Sequence, residues 1–193
     1  MTLPFPEATD PAESRTEVFL RYLDYFRSVV VSKVGGLSEA DARSSRLPSG
    51  WSPLELVKHL TYVELRWLEW GFEGQDVPDP WGDSRDRRWH VDADESSADV
   101  VAALEDRGRH SRAIVERHEL AETGQPSDRW DGADPPTLER VLLHLLQEYA
   151  RHAGHLDIVR ELADGTVGEG YARDRPGQAP GTAPGIGHVR DVR

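Results

Sequence analysis

The chain has 193 residues, enough for one ordinary domain with a sizeable hydrophobic core. Its formal net charge is −12, 30% of its residues are charged, and its mean hydropathy is −0.62; bulk electrostatics therefore argues against nucleic acid or an anionic membrane as a partner. There is no cysteine, which excludes a disulfide framework, a thiolate nucleophile and a cysteine-based zinc site.

The opening segment, MTLPFPEATDPAES, lacks the basic and apolar regions of a signal peptide. No run approaches the roughly 20 apolar residues of a membrane span. A cytoplasmic setting is the expectation. No internal repeat is visible. Residues 1–13 read as an N-terminal arm, broken by Pro4, Pro6 and Pro11.

From about Ala12 to Val34 the apolar residues Phe19, Tyr22, Leu23, Phe26, Val29 and Val30 recur at helical spacing, and Gly35-Gly36 ends that helix. Ser38 can cap one further turn before Arg43. Ser52-Pro53-Leu54-Glu55 is a well-formed helix start, with Ser52 as cap, Pro53 at the first position and Glu55 completing a capping box. That helix is expected to run to Gly71 or Glu73, with Leu56, His59, Leu60, Val63, Trp67 and Trp70 facing inward.

Gly74 to Glu95 is a long polar connection with no strand pattern, containing Pro78-Asp79-Pro80, Trp81, Trp89 and His90. Loops of this length inside a compact domain are often functional. Ser96 or Ser97 starts a third helix ending near His118. Glu119 to Pro136 is a second connection, rich in Gly, Pro and Asp. A fourth helix spans about Thr137 to Ala163, and Asp164-Gly165 ends it. The Gly- and Pro-rich residues 168–193 read as a flexible tail. Four long helical patterns make residues 14–167 an all-α four-helix bundle, whose long connections allow a crossover topology.

The fourth helix departs from simple amphipathicity. Glu148, His152 and His155 stand at i, i+4 and i+7, so they share one face with Leu142, Leu145, Leu156 and Val159 nearby. Glu148 and His152, one turn apart, can bind one ion together. A third ligand must come from another helix, and His59 on the inward stripe of the second helix is the candidate. Three protein ligands leave a coordination position open, as in a catalytic zinc site; nickel or iron(II) would accept the same set. Two bland alternatives stand beside this. His59 taken alone is more often a hydrogen-bonded core residue, and Glu148 could pair with Arg151 or with an arginine on another helix. His155 reads as a group behind the ligands in preference to one that contacts substrate or replaces Glu148 as a ligand, and His144, two turns before His152, falls in the core or behind the site. The paired Glu-x-x-His motifs of di-iron bundles are missing. Trp67, Trp70, Trp81 and Trp89 could wall a pocket.

The stretches PSGWSPLELVKHLTYVELRWLEWGF at 48–72 and LLHLLQEYARHAGHLDIVRELADG at 142–165 resemble the DinB/YfiT-like superfamily of metalloenzymes, in its actinobacterial branch. The resemblance covers roughly residues 14–167. It implies a four-helix bundle holding a divalent metal, zinc above others, through His59, Glu148 and His152. Many members carry histidine where this chain has Glu148, and the glutamate version is similar to mycothiol-dependent maleylpyruvate isomerase. Relatives include thiol S-transferases. By that likeness the ion would hold the thiolate of a small thiol such as mycothiol for attack on an electrophile, and His155 would help with proton transfer. The partners implied are a small-molecule thiol and an electrophile, with no nucleic acid and no membrane; a homodimer through helix faces is compatible with the pattern. The competing expectations are a non-catalytic metal-binding or stress-response bundle, and a structural bundle with its histidines buried neutral.

Overall fold

The fold was analysed in a computed structural model, which describes residues 2–168. The expected tail at 168–193 lies, apart from Gly168, outside the described residues.

Helix α1 spans Arg15–Gly35. It starts later than Ala12 because Ser14 is the cap: its extended backbone stops the helix, and its Oγ accepts from the Glu17 N–H at 3.1 Å. A single turn, α2, covers Glu39–Ala42 behind the Ser38 cap. Helix α3, Pro53–Glu64, begins with the expected capping box, in which the Ser52 N–H donates to Glu55 Oε2 at 2.7 Å and the Glu55 N–H to Ser52 Oγ at 3.3 Å. The same axis continues through Leu65–Phe72, but as a π-helix. The wider i→i+5 bonding is unusual over eight residues, and such segments are common at functional sites.

Helix α4, Ser97–Glu116, has a second capping box between Ser96 and Asp99. Helix α5, Leu138–Asp164, runs from the Thr137 cap to Gly165, whose φ of 75° is the left-handed end that glycine adopts without strain. The helices form one core: α1 packs on α5 and α4, and α3 packs on α4 and α5. Leu23, Val30, Leu60, Leu104, Leu142 and Leu145 are all buried there. No helix among the described residues is long and apolar enough to cross a membrane.

The core also contains an ionic group. Glu64, 0% exposed, accepts from Arg27 Nε at 2.7 Å and Nη2 at 3.2 Å and from the Tyr149 hydroxyl. Asp24 takes a further Arg27 donor at 2.7 Å. Three helices are tied together by these bonds, so the buried charges are compensated. Gly108 makes room for them: a Cβ there would lie 2.8 Å from Arg27 Cδ.

The Gly74–Glu95 connection contains a strand pairing that its polar pattern does not announce. Strands β1, Ser84–Arg85, and β2, Arg88–Trp89, form an antiparallel hairpin. Asp86 and Arg87 turn it with φ of 52° and 61°, the primed-turn geometry of two-residue hairpins. With two residues in each strand, no alternation has length to register. The N-terminal arm lies along α1, with Phe5 edge-on to Tyr22 and Tyr25 and the Leu3 N–H donating to Ser28.

Candidate metal centre

Helices α3 and α5 bring His59, Glu148 and His152 together. Each offers one ligand atom, and the three atoms lie within 4.8 Å of one another. The Nε2 atoms of His59 and His152 stand 4.0 Å and 3.2 Å from the same carboxylate oxygen, Glu148 Oε2. Two imidazoles and a carboxylate oxygen at this spacing are a donor set that could hold a divalent ion. Arg151 is exposed, and the ion-pair contacts of Glu148 are to His59, His144 and His152 rather than to an arginine.

The long connection completes the site in a way that sequence reasoning missed. Asp83, immediately before β1, is 2% exposed and accepts from His59 Nδ1 at 3.0 Å. Arg66, in the π-helix, grips the same carboxylate with a fork, Nη1 to Oδ1 at 2.7 Å and Nη2 to Oδ2 at 3.1 Å. A carboxylate held ionised by a guanidinium only accepts, so the His59 proton sits on Nδ1 and the lone pair on Nε2 faces Glu148. This is the carboxylate–histidine support found behind metal-bound imidazoles. The one signal in the sequence was an acidic residue in an unusually long loop, which does not say where it docks.

Aromatic rings close the site laterally. Trp89, from β2, stacks on His59 with centroids 4.1 Å apart. Trp51 lies 6.1 Å from Trp89 and 5.9 Å from His155. On the other side Trp67 covers His144 at 3.9 Å. Trp81 sits outside this wall, under the Arg66 guanidinium and edge-on to Trp70. His155 Nδ1 is 3.3 Å from His152 Nδ1, so it touches a candidate ligand rather than joining the donor set. His144 Nε2 is 3.7 Å from Glu148 Oε1, the other oxygen of that carboxylate.

The protonation states suit ligation. Burial pulls the His59 pKa below the usual histidine value, against the opposing pull of Asp83. Burial raises the Asp83 carboxyl, but the hydrogen bonds from His59 and Arg66 and the Arg66 charge outweigh it and hold the group below its ordinary range. Glu148 is also lowered, first by its hydrogen bond from His152. His59 is thus neutral and Glu148 ionised near neutral pH, the forms in which they can bind a metal, and Asp83 is ionised behind His59.

The sequence pattern of the family described as mycothiol-S-transferase matches residues 18–165. The chain belongs to the mycothiol-S-transferase family. The match takes in α1 to the end of α5 and so every residue of the candidate centre. It bears out the resemblance of the two quoted stretches, since this family is DinB-like. No curated protein matches the chain. Among solved structures, the conserved protein of a locus from Enterococcus faecalis is similar, with 17% identity, a TM-score of 0.49, and coverage of 80% of this chain and 100% of that one. A likeness at that level carries no argument about the site.

Proposed function

We propose that this mycothiol-S-transferase family member is a divalent-metal enzyme that joins a small thiol to an electrophile, with zinc at His59, Glu148 and His152 and mycothiol as the thiol. The observation that carries the reading is the convergence of two imidazole Nε2 atoms on one carboxylate oxygen, inside a family named for S-transfer from mycothiol. When bound, the ion supplies a Lewis acid that favours the thiolate over the thiol. The absence of cysteine agrees with a nucleophilic sulfur that arrives with the substrate.

The chain's own residues do the rest. Asp83 and Arg66 fix the His59 ring and its tautomer, so its lone pair is already aimed. Trp89 and Trp51 exclude water from the His59 and His155 side. His155 is the proposed proton-handling group. With His152 ligating through Nε2, the His152 Nδ1–H donates to His155 Nδ1, and His155 keeps a proton on its own Nε2. That N–H is a donor for negative charge developing on the electrophile as the sulfur–carbon bond forms, while the thiol proton leaves to solvent.

Metal analysis of the purified chain, followed by turnover of model electrophiles with and without mycothiol, tests the reading. Near-stoichiometric divalent metal, lost in His59→Ala, and mycothiol-dependent consumption of electrophile are expected. A metal-free wild type, or metal retained equally by His59→Ala, would overturn the site. Full metal with no thiol-dependent turnover would leave a metal-binding bundle without the transferase activity.

A further inference from the structure

We infer that Arg129 forms an anion subsite at the edge of the centre that takes the carboxylate of an electrophilic substrate. The inference rests on the transferase reading for the nature of its ligand, and on independent geometry for the subsite.

Arg129 lies in a short 3₁₀ turn, Asp128–Trp130, inside the second long connection. Its guanidinium sits over the ring of Trp67 at 4.6 Å, with the rings of Trp130 at 5.5 Å and Trp70 at 5.9 Å. Trp67 also contacts His144, with centroids 3.9 Å apart, and His144 Nε2 lies 3.7 Å from Glu148 Oε1. Trp67 thus touches both Arg129 and the residue beside the Glu148 carboxylate.

Arg129 has no carboxylate partner among the described residues, and its buried Nε has no hydrogen-bond partner. Arg87, Arg88, Arg140 and Arg151 also lack a carboxylate partner, but they are exposed; the other described arginines that are at least partly buried are paired, among them Arg66 with Asp83, Arg107 with Glu69 and Arg112 with Asp24. Stacking on indoles engages the faces of a guanidinium. It leaves the in-plane N–H groups unused; Nε is buried, so the terminal Nη1–Nη2 edge is the one that can meet a carboxylate in fork geometry. The aromatic surroundings lower the local dielectric, which makes an unpaired cation costly and an incoming anion well compensated.

One guanidinium balances the single charge of a carboxylate but only half that of a phosphate dianion. The turn holding Arg129 is braced: the Trp130 Nε1–H donates to the Gln125 carbonyl at 3.2 Å, and the Ala133 N–H to the Trp130 carbonyl at 2.9 Å. The ligand class is a small organic acid whose reactive carbon lies a few bonds from the carboxylate, so that the acid group rests at Arg129 while the carbon meets the thiolate.

The test is a tryptophan-fluorescence titration of the full chain at constant ionic strength, with propionate, its neutral isostere propionamide, and inorganic phosphate. It is run on metal-loaded and chelator-treated protein, so that a carboxylate bound to the ion is told apart from one bound to Arg129. Propionate is expected to give a saturable change in both samples, propionamide none, and phosphate a much weaker one. R129Q should raise the half-saturation concentration for propionate about tenfold or more, the range for losing a charged hydrogen bond. Unchanged saturation in R129Q, or equal titration by propionamide, overturns the subsite; equal titration by phosphate overturns the carboxylate assignment. Should R129Q fail to fold by circular dichroism, the contrast between propionate and propionamide in the wild type decides. Metal content is read separately, so loss of the metal reading leaves this titration interpretable.

Discussion

His59 Nδ1 and Asp83 Oδ2 are 24 residues apart in the chain and 3.0 Å apart in the fold. One lies on α3 and the other at the head of a two-stranded hairpin, and Arg66 on the π-helix holds the carboxylate in place. Asp83 therefore sets which His59 nitrogen is free, although it cannot itself reach the Nε2 side where Glu148 stands.

Replacing Asp83 by Asn keeps the shape and removes the charge. Metal affinity is expected to fall about 10–100-fold, the usual effect of an outer partner. Arg66, 4% exposed, would lose its counter-charge, so the fold should also weaken by about 3 kcal/mol. Competition with a chromophoric chelator and urea denaturation measure the two effects. A stability loss with unchanged affinity would reduce Asp83 to a partner of Arg66 alone.

Glu148→Gln removes a proposed ligand and spares the core, since Glu148 is only half-buried. Metal affinity should fall by more than in Asp83→Asn, beyond the ~100-fold limit of outer partners. The thermal midpoint of the metal-free chain should stay close to wild type. Metal analysis after dialysis against a weak chelator reads the first, and calorimetry the second.

The metal-free chain should lose stability as pH falls from about 7.5 to 5. Burial lowers the folded pKa of His59, His144 and His155, with the neighbouring charges of Arg66 and His152, of Arg129, and of His152 and Arg151 respectively adding to it. Below the ordinary histidine pKa of about 6.5, the unfolded chain binds protons that the folded chain does not, so stability falls with falling pH. Asp83, whose folded pKa is depressed, acts with the same sign at more acid pH: its contribution is present above the ordinary aspartate value and is lost as pH falls through the folded one. Thermal midpoints across this range, with chelator present, measure the slope. A flat profile from pH 7.5 to 5 would contradict the lowered histidines.

Glu64→Ala should be the most damaging single change that leaves the centre's own residues intact. It strips Arg27 of its main partner and leaves the buried Tyr149 hydroxyl without an acceptor. A loss of about 3–5 kcal/mol is expected, softened by Asp24 on the far side of Arg27. Denaturation curves measure it. At low temperature, where the variant is folded, metal content should match wild type.

Gly108→Ala tests the approach of α4 to Arg27. The added Cβ would meet the Arg27 side chain at 2.8 Å. Alanine ordinarily stabilises a helix interior over glycine by about 1 kcal/mol, so a net destabilisation in urea would show that the crowding outweighs propensity.

Much of the scaffold was legible in the linear chain. Ser52, Pro53 and Glu55 wrote a helix start that the fold reproduces bond for bond, because capping is local chemistry. Glu148 and His152 could be paired from their spacing, since one helical turn separates them. Placing His59 with them relied on an inward histidine on a second stripe and on a resemblance. Asp83 and Arg66 were not legible. Their pairing spans 17 residues of loop and π-helix and follows no period. Glu64 was missed for a related reason: a charged residue on a helix reads as solvent-facing until its partners, on α1 and α5, are known.

The sequence by itself determined the long helices, most of their ends and the one-turn spacing of Glu148 and His152 on α5, because these depend on contacts within a few residues along the chain. Tertiary structure decided that His59 faces Glu148 and that the long connection folds back to put Asp83 behind His59 and Trp89 over it. It also decided that Arg129 stands beside Trp67 with no carboxylate partner among the described residues. Those relationships join segments far apart in the chain. They are settled by which side chains burial and charge compensation bring together, and no local pattern records that.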